Sequence, residues 1–175
     1  EKNGNGRQVV VIGAGPAGLM AAKVAAEKGF KVTVFEKADK VGGQILLAAA
    51  PPQKKKIGWV TEDLEYQCKL LGVDFRMNTE ATVENVKALK PYAIFNATGG
   101  TPITPKIPGY DLPNVYTPDQ VLRGDVKFEG KKIAVIGSGM TGLETAEFLS
   151  DEGNDIIVVE MAEELAPGTW IQHKM

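Results

Sequence analysis

Residues 9–37 read VVVIGAGPAGLMAAKVAAEKGFKVTVFEK, and residues 133–161 read IAVIGSGMTGLETAEFLSDEGNDIIVVEM. At an offset of 124 the two stretches align without a gap. The matched identities are Val11/Val135, Ile12/Ile136, Gly13/Gly137, Gly15/Gly139, Gly18/Gly142, Leu19/Leu143, Ala22/Ala146, Gly29/Gly153, Val34/Val158 and Glu36/Glu160. Each copy opens on an apolar run, 9–12 or 132–136, of the kind a parallel strand covered on both faces shows. Glycines follow at once. Residues 16–28 and 140–152 then carry apolar side chains at helical spacing and stop at Gly29 and Gly153, residues suited to a left-handed helix end. Second strands are expected at 31–35 and 156–159, closing with Glu36 and Glu160. Two parallel strands joined by one helix form a right-handed crossover, so the sequence predicts an α/β fold built from this unit twice.

The glycine spacing states what comes near the backbone. In GAGPAG and GSGMTG the first glycine permits a tight turn out of the strand. The second lets backbone N–H groups approach a pyrophosphate, and the third lets helix and strand pack closely. The helix N-terminus aims unpaired amides and about half a positive charge at that anion. Glu36 follows Gly18, and Glu160 follows Gly142, by 18 residues. At that distance each carboxylate reaches the end of the second strand, where it can accept hydrogen bonds from a ribose diol. One such fingerprint is weak evidence, because glycine-rich turns also serve packing. Two copies with strand, helix and acid in register are strong.

The remaining composition sets limits. A chain of 175 residues holds one ordinary domain or two small ones. Its 43% hydrophobic and 24% charged residues are those of a soluble globular protein. The net charge of −2 gives no reason to expect a nucleic acid or a membrane surface as partner. No apolar run approaches a bilayer-spanning length, the N-terminal EKNGNGR lacks a signal-peptide core, and the cytoplasm is the expected compartment. One cysteine, Cys68, excludes a redox pair or a cysteine-ligated cluster within these residues, and its helical spacing with Leu64 and Leu71 marks it as a core thiol.

From Glu36 the sequence continues KADKVGGQ, with Gly42 and Gly43, and later reads YAIFNATGGTPITPKIPG before the second fingerprint. This order resembles the flavoproteins with two dinucleotide-binding domains. More narrowly, GGQILLAAAPPQKK, ATGGTPITPKIPG and GSGMTGLETAEFL resemble the C-terminal half of the NADH:flavin oxidoreductases related to 2,4-dienoyl-CoA reductase and enoate reductase. The resemblance implies a three-layer Rossmann-like fold with two partial domains: a FAD-binding portion over 1–108 and the first βαβ unit of an NAD(P)H-binding domain over 109–175. It implies FAD held by Gly13, Gly15, Pro16, Ala17, Gly18, Glu36, Lys37, Gly42, Gly43, Gln44, Ala81, Ala97, Thr98 and Gly99. The nicotinamide dinucleotide falls to Gly137, Gly139, Met140, Thr141, Gly142 and Glu160.

The resemblance further implies that the chain is a piece of a larger oxidoreductase, partnered by an N-terminal barrel domain that carries FMN and a 4Fe–4S cluster, in a parent that forms homo-oligomers. Hydride would pass from nicotinamide to FAD and on to an acceptor site in that barrel. Relatives that reduce disulfides resemble one another in a cysteine pair after the GG element or before the second fingerprint; neither segment has a cysteine here, which excludes that reaction. Some relatives, trimethylamine dehydrogenase among them, look like they hold ADP where FAD would sit. The first fingerprint serves either ligand, so a non-redox nucleotide-binding module is the alternative.

Glu160, followed by MAEEL with no arginine, points to NADH rather than NADPH, because a carboxylate accepts from a free 2′-hydroxyl and repels a 2′-phosphate. No general acid, base, nucleophile or metal ligand stands out. His173 reads as a surface residue, and Lys54, Lys55 and Lys56, after a Pro-Pro turn, as a solvated loop. Between the fingerprints the pattern predicts a helix over 61–72 and strands near 73–77 and 92–97, the last buried. A loop and strand beside the adenine are expected over 78–83. The proline-rich stretch 100–114 marks the crossover between domains, followed by a short strand and a helical turn.

Overall fold

The computed structural model describes residues 3–166, which leaves His173 outside the described residues. Among the described residues six strands and six α-helices follow one another: β1 (Gln8–Ile12), α1 (Pro16–Glu27), β2 (Lys31–Phe35), α2 (Ile45–Ala48), α3 (Trp59–Leu70), β3 (Asp74–Arg76), α4 (Val83–Ala88), β4 (Ala93–Asn96), α5 (Pro118–Arg123), β5 (Lys132–Ile136), α6 (Met140–Asp151) and β6 (Asp155–Val159). They form two compact units. One takes the residues up to Leu46 together with Lys56–Thr101; the other takes Leu47–Lys55 with the residues from Pro102 onward.

The first unit is a four-stranded parallel sheet in the order β3-β2-β1-β4. Val9 and Val11 point to one face and meet Leu19, Ala22 and Ala25 of α1 and Leu64 and Cys68 of α3. Val10 and Phe35 point to the other face and meet Val86 of α4. Alternation along a strand thus supplies both faces, and helices cover each, giving helix–sheet–helix layers. Cys68 lies wholly buried in this core and its thiol donates to the Leu19 carbonyl at 3.4 Å. Burial pushes that thiol above its ordinary pKa, which keeps it neutral and unreactive.

The second unit repeats the β-α-β step. β5 and β6 pair in parallel, with Ile136 opposite Val159 just as Ile12 stands opposite Phe35. Ala146 and Leu149 of α6 and Val121 of α5 are buried here. Asn154 fastens the helix exit to the strand entry: its amide donates to the Phe128 and Leu149 carbonyls, and its oxygen accepts from Lys131 N–H. In both units the crossover helix runs into a glycine with positive φ, 83° at Gly29 and 84° at Gly153.

Four expectations require correction. Among the described residues β4 is not covered: it lies at the edge of its sheet, with Ile94 51% and Phe95 45% exposed. β5 likewise alternates between half-buried and exposed residues, because each strand of a two-stranded sheet is an edge. No strand forms over 78–83. Thr82 instead caps α4, its hydroxyl accepting from Asn85 N–H while the Asn85 side chain accepts from Thr82 N–H. Residues 114–117 form turn and coil rather than a strand, with Pro113 and Pro118 on either side.

Candidate functional site: two glycine corners

The same corner is built in each unit, and each glycine in it does one physical job. Gly13 and Gly137 leave their strands at φ +98° and +97°, a turn that side chains rarely adopt. Their N–H groups donate to the Phe35 and Val159 carbonyls, both at 2.8 Å, so the turn grips the end of the neighbouring strand. A methyl on Gly18 would lie 1.9 Å from Gly13 O, and one on Gly142 would lie 2.0 Å from Gly137 O. These third glycines admit the helix against the turn. Gly15 and Gly139 are different. Their φ values are ordinary, −73° and −61°, and a methyl there would meet nothing within 4 Å. No protein atom explains the second glycines, and open space in front of them is what an approaching phosphate needs.

The helix starts agree. Neither α1 nor α6 has a side-chain cap or an acidic residue in its first turn. By contrast α4 and α5 begin with full capping boxes at Thr82 and Thr117, and Glu84 and Asp119 sit in their first turns. The two long crossover helices therefore keep their amides and positive ends available to an anion, while the short ones satisfy theirs internally. Pro16, in the first turn of α1, lacks an N–H that would otherwise go unpaired there.

Glu36 and Glu160 stand at the second strand ends. Glu36 accepts from Ala14 N–H at 2.7 Å and Ala38 N–H at 2.9 Å. Glu160 accepts from Ser138 N–H and Oγ–H at 2.8 and 2.7 Å, and from Met161 and Ala162 N–H at 2.8 and 3.0 Å. Those hydrogen bonds, Ala162 N–H foremost and then the Ser138 hydroxyl, hold the Glu160 carboxyl down to about 2.

The first corner gathers further segments. Gly42 N–H donates to Ala14 O at 2.9 Å, and a methyl on Gly43 would come 3.2 Å from Gly15 Cα, so the glycine pair lies directly over the fingerprint. Ala97 N–H donates to Ile12 O at 2.8 Å, and a methyl on Gly13 would strike Ala97 O at 2.4 Å. Thr98 Oγ–H donates to Asn96 Oδ1, Gly99 turns at φ +77°, and Gln44 donates to Gly100 O at 2.7 Å. Ala17 and Lys37 are exposed, and Ala81 packs against the Val10–Phe35–Val86 cluster instead of lying in the corner. In the second corner Met140 and Thr141 are exposed in the first turn of α6.

Sequence reasoning missed two features. Lys54 is not a free loop lysine: it pairs with Glu144 of α6, and both side chains are half-buried. Lys55 and Lys56 are exposed, as read. Ser138, the middle residue of GSG, is wholly buried and engages Glu160; the signal was available, since Ala14 holds the matching position.

Two strand-to-helix glycine corners, each with a carboxylate at the adjoining strand end, define a dinucleotide-binding α/β protein. Residues 7–173 match the model of the pyridine nucleotide-disulphide oxidoreductases, and the chain belongs to that family. It is 40% identical over 163 residues to an NADH oxidase of Thermoanaerobacter brockii, covering 91% of this chain and 25% of that protein. It is 36% identical over 159 residues to a cinnamate reductase of Clostridium sporogenes, covering 91% and 24%. Among solved structures, a 2-naphthoyl-CoA reductase complex superposes with a TM-score of 0.84 at 34% identity, covering 91% of this chain and 24% of that one. The chain thus spans about a quarter of the length of these relatives. Among the described residues no helix is long and apolar enough to cross a membrane.

Proposed function

We propose that this chain is the dinucleotide-binding part of a flavin-dependent NADH oxidoreductase of the enoate-reductase type, with FAD at the first corner and the nicotinamide dinucleotide at the second. The observation that carries the reading is the pair of second glycines, Gly15 and Gly139, each facing open space beside an uncapped helix start and an anchored carboxylate. The donor set fits both groups: amides of the first turns of α1 and α6 for the pyrophosphates, Glu36 and Glu160 for the riboses. Gly42, Gly43 and the Ala97–Gly99 turn would then flank the flavin side, over a FAD portion of 1–108 and a nicotinamide portion of 109–175.

When bound, the nicotinamide would supply hydride to the flavin, and the acceptor site would lie in a barrel domain with FMN and a 4Fe–4S cluster. The residues of this chain bind and orient: the helix N-termini offset phosphate charge, and the carboxylates fix the riboses. Glu160, held ionised, favours NADH because a 2′-phosphate would meet a fixed negative charge.

The test is the visible absorption spectrum of the parent protein that contains this chain, before and after denaturation, with NADH and NADPH oxidation compared at equal concentrations. FAD released on denaturation, with NADH oxidised faster, is expected. Release of ADP alone would replace the redox reading with a structural nucleotide module, and faster NADPH oxidation would overturn the role given to Glu160.

A further inference from the structure

A carboxylate has about four lone-pair positions for donors. Glu36 uses two, on Ala14 and Ala38 N–H. Glu160 uses four, on Ser138 N–H, Ser138 Oγ–H, Met161 N–H and Ala162 N–H. The difference includes the one side-chain donor in the set, the Ser138 hydroxyl, which has no counterpart at Ala14. That hydroxyl is fixed from both sides. It donates to Glu160 Oε2 at 2.7 Å and accepts from Ala166 N–H at 2.9 Å, and Ser138 is fully buried, so the hydroxyl cannot swing into solvent.

We propose that Ser138 is a positioning residue that sets the affinity of the second corner by competing with a ribose hydroxyl for Glu160. A ribose arriving at Glu36 adds to an unfilled carboxylate; one arriving at Glu160 must displace a donor already in place. The first corner is thereby suited to a retained nucleotide and the second to one that binds and leaves. The inference rests on the assignment of the nicotinamide dinucleotide to the second corner.

The experiment is anaerobic calorimetric titration of the parent protein that contains this chain, its flavin reduced beforehand so that no hydride is consumed, with NADH and with NADH lacking the adenosine 2′-hydroxyl, for the wild type, Ser138→Ala and Ser138→Cys. Cysteine leaves no cavity, being slightly larger than serine, but donates weakly, which guards against a cavity effect in the alanine variant. Both variants are expected to bind NADH about three- to tenfold more tightly, the range set by one hydrogen-bond competitor, and the 2′-deoxy ligand no more tightly than wild type does. A purely structural role would change both ligands alike. Unchanged or weaker NADH binding in both variants, or an equal gain with the 2′-deoxy ligand, overturns the inference while leaving the nicotinamide assignment standing. Absence of NADH binding to the wild type and to both variants overturns that assignment and the inference with it.

Discussion

Gly18 lies so close to Gly13 that the van der Waals space for one methyl group between them is missing, and Gly142 stands in the same relation to Gly137. Both third glycines are inside helices, where alanine is ordinarily better by roughly 0.5–1 kcal/mol. Here the obstructing atom is a backbone carbonyl in a turn that also grips the next strand, so it cannot yield as a flexible side chain would. Overpacking of this kind costs about 1–3 kcal/mol or more, and it outweighs the helix gain. Gly18→Ala and Gly142→Ala should each lower stability in chemical denaturation. A rise in stability for either would show that the helix can back away from its strand at no cost.

Glu160 makes the second corner sensitive to acid. A glutamate in an unfolded chain titrates near 4.3, whereas in the folded chain this one titrates at about 2. A depressed folded-state pKa contributes stability that is complete above the unfolded value and lost as pH falls toward the folded one. Denaturation followed between pH 6 and pH 2 should therefore show a loss below about pH 4.5 that is smaller in Glu160→Gln. Identical pH profiles for the two proteins would mean that the hydrogen bonds to this carboxylate do not favour its ionised form.

The Lys54–Glu144 pair joins the segment 47–55 to α6, 90 positions apart in the chain. The pair keeps some solvent contact, so its coupling should be modest, on the order of 0.5–1 kcal/mol, and weaker in molar salt. A double-mutant cycle of Lys54→Met and Glu144→Gln measures it. Zero coupling at low salt would leave the segment held by something other than this pair.

What the sequence makes legible is the corner itself, since turn, approach and close packing each demand glycine at its own position and the acid follows at a fixed distance. The layered first unit is legible too: Val9, Val10 and Val11 form a run of the kind a strand covered on both faces shows, and all three are buried. Exposure is another matter. Ile94 and Phe95 read as buried because their composition is apolar, but burial depends on what lies beside the strand, and β4 is at an edge. The strand expected over 78–83 gave way to a local device, the Thr82–Asn85 capping box, whose residues are visible in the sequence but polar enough to read as loop. Lys54 pairs with a residue far along the chain, and no local pattern reports such a contact.

The central claim is that each glycine corner holds a nucleotide. Gly15 and Gly139 separate folding from binding, because a methyl on either touches no protein atom and the backbone angles suit alanine. The direct measurement is anaerobic calorimetric titration of the parent protein, its flavin reduced beforehand, with NADH, wild type against Gly139→Ala, alongside thermal melts of both. The account expects a melting midpoint within a few degrees of wild type, since alanine for glycine at a helix N-cap costs only about 1 kcal/mol or less, together with NADH binding weakened at least tenfold. NADH binding to Gly139→Ala with wild-type affinity would contradict it.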